Sequence, residues 1–147
     1  MLGKTDNQMQ LIVLDIDSMI PPNHLLRQIK NCVNFEFIYE KAAPYYSRTG
    51  RKSIEPVIMI KMLLIGYLYG IKFERRLEEE VSLTFAYRWF CELDLNQRVP
   101  NHSTFSQNRR RRFKDNTIFR EMFNEIVIQC INKCLKFLAI KLLRLKK

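Results

Sequence analysis

At 147 residues, 47% of them hydrophobic, the chain is long enough for one domain with its own core and too apolar to be disordered. Its 25 Lys and Arg stand against 15 Asp and Glu, a formal net charge of +10, which disfavours cationic partners and points to a polyanion, either nucleic acid or an anionic membrane surface. Cys32, Cys91, Cys130 and Cys134 form no CxxC pair and have no His at ligand spacing, so zinc modules drop out and a reduced, cytoplasmic setting is expected.

The lead-in to Gln10 is polar and lacks the basic and apolar regions of a signal peptide. Leu11-Ile12-Val13-Leu14 is a short apolar run that suits a lone strand or a helix start, and periodicity does not choose between them. Pro21-Pro22-Asn23 breaks the chain and caps a helix with an inner face of Leu25, Leu26, Ile29 and Val33. Asn34 caps a second short helix carrying Phe35, Ile38 and Tyr39, and Pro44 to Arg51 reads as a loop.

The next helix is the clearest core element. Ser53 is its expected cap, Pro56 lies in its first turn, and Val57 to Ile71 is apolar nearly all round, interrupted only by Lys61. A run of about fifteen such residues falls short of the roughly 20 a membrane span needs. It reads as a buried central helix ending at Gly70 in the C′ position. Phe73, Leu77 and Val81 then mark an amphipathic helix with an outer face of Glu74, Arg75, Glu78 and Glu79. Glu78 to Glu80 are adjacent carboxylates pointing about 100° apart, so they cannot converge on one ion, and a solvated face partnered by Arg75 and Arg76 is expected. Thr84 to Leu93, with Phe85, Tyr87, Trp89, Phe90 and Cys91, reads as a short aromatic core helix, and Leu93 to Val99 as a connection.

Val99 to Phe113 is the stretch with functional character. Pro100 stops what precedes it, and Asn101, Ser103 and Thr104 are each candidates for the cap of a helix running from Thr104 to Lys114. Thr104 and Gln107 have the spacing of a capping box. At 100° per residue, Phe105 and Phe113 fall on one side, flanked by Asn108, Arg109 and Arg112. Gln107, Arg110, Arg111 and Lys114 fall on the other, with Ser103 and Thr104 at its open end. That face offers hydroxyls, an amide and cations, and the helix start offers N–H groups for phosphates: the equipment of a recognition helix, although a basic run also serves as a plain solvated face.

Asp115-Asn116-Thr117 caps a last long helix whose apolar stripe runs through Ile118, Phe119, Met122, Phe123, Ile126, Val127, Cys130 and Ile131. From Lys133 a basic amphipathic tail begins, with a Leu135, Leu138, Leu142 and Leu145 seam suited to a membrane surface or a partner helix. His24 and His102 read as capping or surface residues. Asp15 and Asp17 lack a third carboxylate, no nucleophile motif or glycine-rich phosphate loop occurs, and no small-molecule substrate or cofactor is expected.

Several ordered motifs resemble the InsH-type N-terminal domain of bacterial insertion-sequence transposases. They are Gly50 to Val57, Lys61 to Ile71, Glu74 to Val81, Ala86 to Phe90 and Val99 to Ser106, joined by Pro21 to Arg27 and Tyr45-Tyr46-Ser47, so that the resemblance spans about Ile20 to Asn132. It implies an all-α, multi-helix fold with a helix-turn-helix-like unit that binds double-stranded DNA at terminal inverted repeats, ahead of an RNase H-like domain whose Asp, Asp and Glu hold two Mg²⁺ ions. Lys133 to Lys147 contains no Asp or Glu, so the expectation is a chain stopping before that catalytic domain. Residues 1–132 would form the DNA-binding domain and 133–147 a basic, frameshift-derived helical tail. The expected DNA-facing residues are Ser103, Thr104, Gln107, Arg110, Arg111 and Lys114, with no catalytic or metal-binding residues and Mg²⁺ needed only by the missing domain. The competing expectation is an interaction module that self-associates, pairs with intact transposase or lies on a membrane. Phe73 departs from the family pattern, which has a small polar residue there.

Overall fold

The centre of the molecule is a helix buried along most of its length, with only Tyr67 and Tyr69 near its end exposed. Helix α4 (Pro56–Tyr69) buries Val57, Met59, Ile60, Met62, Leu63, Leu64, Ile65 and Leu68, and even Lys61. Its all-round apolarity requires neighbours on every side. The computed structural model describes residues 11–46, 53–112 and 117–133. These residues contain α1 (Ile16–Met19), α2 (Leu25–Cys32), α3 (Phe37–Ala42), a 3₁₀ turn at Ala43–Tyr45, α4, α5 (Glu74–Leu83), α6 (Phe85–Phe90), α7 (His102–Arg112) and α8 (Thr117–Asn132), with no strand among them. The expected all-α class is what the chain adopts.

Around α4 pack α3, α5 and α6, while α2 lies on α6 and α8 closes over α2 and α3. Leu26, Ile29, Ile38, Phe90, Met122 and Ile126 meet in the same core as α4. Edge-on ring contacts reinforce it, Phe35 with Phe90 at 5.9 Å and Tyr67 with Phe123 at 5.0 Å. Helix α4 ends as expected: Gly70 takes φ +70°, and Ile71 N–H donates to the Gly66 carbonyl at 2.9 Å. A Cβ on Gly66 would sit 3.3 Å from the Ile71 carbonyl oxygen, so the same glycine admits the returning chain. The path then turns by 97° into α5. No single helix among the described residues is long and apolar enough to cross a membrane.

Several expected details change. The N-cap of α4 is Glu55, without a side-chain cap bond, because the Ser53 hydroxyl is used elsewhere. His24, not Asn23, caps α2: its Nδ1 accepts from Leu26 N–H at 3.2 Å. Leu11 to Leu14 form neither strand nor helix and stay exposed, with no strand among the described residues to offer a ladder. Asp15 caps α1, and Asp17 is held by Arg27 and by Trp89 Nε1 at 2.8 Å. Both acids thus serve the fold. Ile131 is exposed at the far end of the α8 stripe. Cys91 and Cys130 are core thiols whose pKa values burial pushes up to about 12 and about 11. Asp115, Asn116, Cys134 and the 133–147 tail beyond its first residue lie outside the described residues.

Candidate nucleic-acid interface

Helix α7 is built as a two-faced element, and each face has a different chemistry. Phe105 is 1% exposed in the core, and the Asn108 side chain is buried beside it. The Ser53 hydroxyl donates to Asn108 Oδ1 at 3.0 Å, while Asn108 Nδ2 donates to the Thr104 carbonyl at 2.9 Å. The segment before α4 therefore holds the middle of α7, a role the sequence hid because Ser53 looked like a cap.

The start of α7 lies two residues earlier than expected. Asn101 is the residue that caps it: its carbonyl accepts from Phe105 N–H at 2.9 Å and its Oδ1 from Ser103 N–H at 2.9 Å. The Thr104–Gln107 capping box is superseded, and both side chains are exposed. His102 N–H donates to Glu78 Oε2 at 2.8 Å, and the His102 ring lies 2.8 Å from the same oxygen. The positive end of the helix is thus already occupied by a carboxylate from α5. Backbone N–H groups of His102 and Ser103 are spoken for, so a phosphate at this end would meet side-chain hydroxyls and cations instead.

Glu74, one turn before Glu78, accepts from the Ser106 hydroxyl and from Arg109 at 3.4 Å. The expected solvated face of Glu74, Arg75, Glu78 and Glu79 is therefore divided. Glu74 and Glu78 point at α7, and only Arg75 and Glu79, with Arg76 and Glu80, form exposed i, i+4 pairs. Helical spacing alone could not reveal this, because a carboxylate row facing a partner helix has the same periodicity as one facing water. Burial pushes the Glu78 carboxyl up, but the bonds from the His102 backbone and ring and the nearby Arg98 charge outweigh it and hold the pKa below its ordinary value. Glu78 thus steadies α7 fully above the ordinary carboxylate range, and that contribution is lost as pH falls through the lowered folded value. The His102 amide resonance should titrate with a midpoint below the ordinary carboxylate value, and Glu78→Gln should abolish that titration. A midpoint at or above the ordinary value would count against the contact.

A second positioning residue lies in α6. Arg88, buried at the end of α6, donates to the carbonyls of Asp94, Leu95 at 3.1 Å and Gln97, and so shapes the connection between α6 and α7. Its only sequence signal is a cation inside an aromatic core run, a placement that calls for convergent acceptors.

On the outer side of α7, Ser103, Thr104, Gln107, Arg110 and Arg111 are all exposed. The Ser103 hydroxyl also bonds Asn101 Oδ1 at 2.6 Å. Arg109 is drawn back to Glu74. Lys114 and Phe113 lie outside the described residues. Among the described residues no three His, Cys, Asp or Glu side chains come together to hold a metal.

A family model described as "Transposase domain (DUF772)" matches residues 14–111, from the chain entering α1 to the last turn of α7. The match thus begins ahead of the resemblance seen in the motifs and ends before α8. No curated protein and no solved structure matches the chain.

Proposed function

We propose, since this chain belongs to the DUF772 transposase-domain family, that it is a DNA-binding module and that α7 is its recognition helix. The observation that carries this reading is the asymmetry of α7. One side is tied down by Phe105, Asn108, Glu74 and Glu78, while a row of hydroxyl, amide and guanidinium groups is exposed, with no covering element among the described residues. Eleven helical residues extend about 16 Å, and the major groove is about 12 Å wide, enough to admit one helix. Gln107 and Arg110 or Arg111 have the donors and acceptors for base edges, whereas Ser103 and Thr104 suit phosphate oxygens. The unit α5–α6–α7 would act in the manner of a helix-turn-helix, with α5 as the supporting helix. Terminal inverted repeats of an insertion sequence are the target.

Titrating the protein against the inverted repeats that flank its gene and against random duplex tests the reading. Expected is tighter binding to the repeats by at least about a hundredfold at physiological salt, within the range of specific over non-specific binding. Equal affinity for both duplexes would remove the specific-recognition claim, and an affinity that does not fall with rising salt would remove the phosphate contacts.

A further inference from the structure

We infer that the outer face of α5 is a docking surface for a second copy of this chain, with the two α5 helices packed antiparallel across a two-fold axis at the level of Glu78. Phe73, Arg76, Glu80 and Leu83 follow one another at spacings of three, four and three residues and form one stripe on the side of α5 opposite Glu74 and Glu78, its Leu83 end bordering Asn101 and His102. A shallow groove runs along this side between Phe73 and Leu83.

Two observations set this stripe apart from an ordinary solvated face. First, its apolar ends are unusually open, Phe73 being 73% and Leu83 84% exposed. Phe73 occupies the N-cap of α5, where it makes no side-chain cap bond and where Ser, Thr, Asp or Asn would stabilise the helix. The aromatic side chain therefore contributes neither to the core nor to the helix start. Second, the stripe is self-complementary. In an antiparallel pair, residues equally far before and after Glu78 face each other. Phe73 then meets Leu83 of the other copy, and Arg76 meets Glu80, with each contact repeated by symmetry.

The Arg76–Glu80 contact within one helix, at 3.5 Å, is exposed and readily re-paired across the axis. Because Glu74 and Glu78 engage α7 from the opposite side of α5, docking leaves the outer row of α7 open in both copies. Ten helical residues offer only about 15 Å of contact, well below a standard interface, so a weak dimer is expected, with a dissociation constant of about 10 to 500 µM.

Sedimentation equilibrium of the full chain without DNA tests the inference. Wild type should associate over that concentration range. Arg76→Glu presents acids at both charged positions and Glu80→Arg presents bases at both, so each variant alone should associate about tenfold more weakly. An equimolar mixture of the two should regain wild-type association, because every like pair becomes an opposite pair. Phe73→Ser should abolish association while holding or raising the urea midpoint through its new cap. A wild type that stays monomeric throughout, a mixture no better than the single variants, or a well-folded Phe73→Ser that still associates as wild type would each overturn the docking surface.

Discussion

Replacing Glu92 with alanine should lower the unfolding free energy by about 3 kcal/mol, whereas replacing Lys61 with methionine should leave it within about 1 kcal/mol of wild type. The asymmetry follows from where the two charges sit. Lys61 is 2% exposed in the middle of α4, its ammonium 2.9 Å from Glu92 Oε1 and 4.8 Å and 5.7 Å from the rings of Phe35 and Phe90. Without Glu92 the ammonium stays buried with only ring faces for partners. Without the Lys61 charge, the thioether fills the same space and Glu92, 59% exposed, remains hydrated and close to Lys30. Urea unfolding of both variants and of the double variant measures this. The double variant should resemble Lys61→Met, and additive losses would mean that the pair is not coupled.

Glu92 carries a second signature. It adopts φ +58° after α6, in the position where helices usually end on glycine, with Leu93 N–H bonded to the Arg88 carbonyl at 3.0 Å. Relief of left-handed backbone strain should make Glu92→Gly milder than Glu92→Ala by about 1 kcal/mol. Burial raises the Glu92 pKa, but the hydrogen bond and charge of Lys61, with Lys30, more than reverse this and leave it lowered. The pair's contribution is then complete above the ordinary carboxylate range and disappears as pH falls through the lowered value. Lys61→Met should therefore flatten the acid limb of the stability profile.

The sequence showed the elements that bury side chains and missed many that hold elements to one another. Val57 to Ile71 announces a central helix because apolarity on every face means burial, and the run is too short for a membrane span. Gly70 marks its end for a reason confined to one residue's backbone. Phe105 and Asn108 fall on the inner side of α7 by angle alone. In contrast, Asn101 could not be separated from Ser103 and Thr104, because all three have short oxygen-bearing side chains and only the path of the incoming chain selects the cap. The periodicity that correctly turns Leu77 and Val81 inward also puts Phe73 on a core face and Glu74 and Glu78 on a solvated one. Period alone gives the relative angle of side chains, not the identity of what lies opposite. Arg88 shows only as a cation inside an aromatic run and Glu92 shows nothing, because loop carbonyls and a lysine distant in sequence are partners with no periodic spacing.

Alanine at both Arg110 and Arg111 should weaken binding to the inverted repeats by about 2 to 4 kcal/mol, roughly thirty- to a thousandfold, since each base-contacting arginine contributes about 1 to 3 kcal/mol. If both reach phosphates instead, specificity should survive and the salt slope should shallow by about 2. Arg120→Ala, an exposed cation on α8, is the control for generic charge loss, and a double variant no weaker than that control would remove α7 from the interface. Glu78→Gln then separates orientation from electrostatics. Removing an acid raises net positive charge, so attraction to DNA alone would make the variant bind more tightly. If the carboxylate instead fixes the start of α7 through His102, its loss lets the helix shift, and affinity for the repeats should fall severalfold while affinity for random duplex rises. That opposite movement on the two duplexes is what neither a charge effect nor general unfolding produces, because the first strengthens both and the second weakens both.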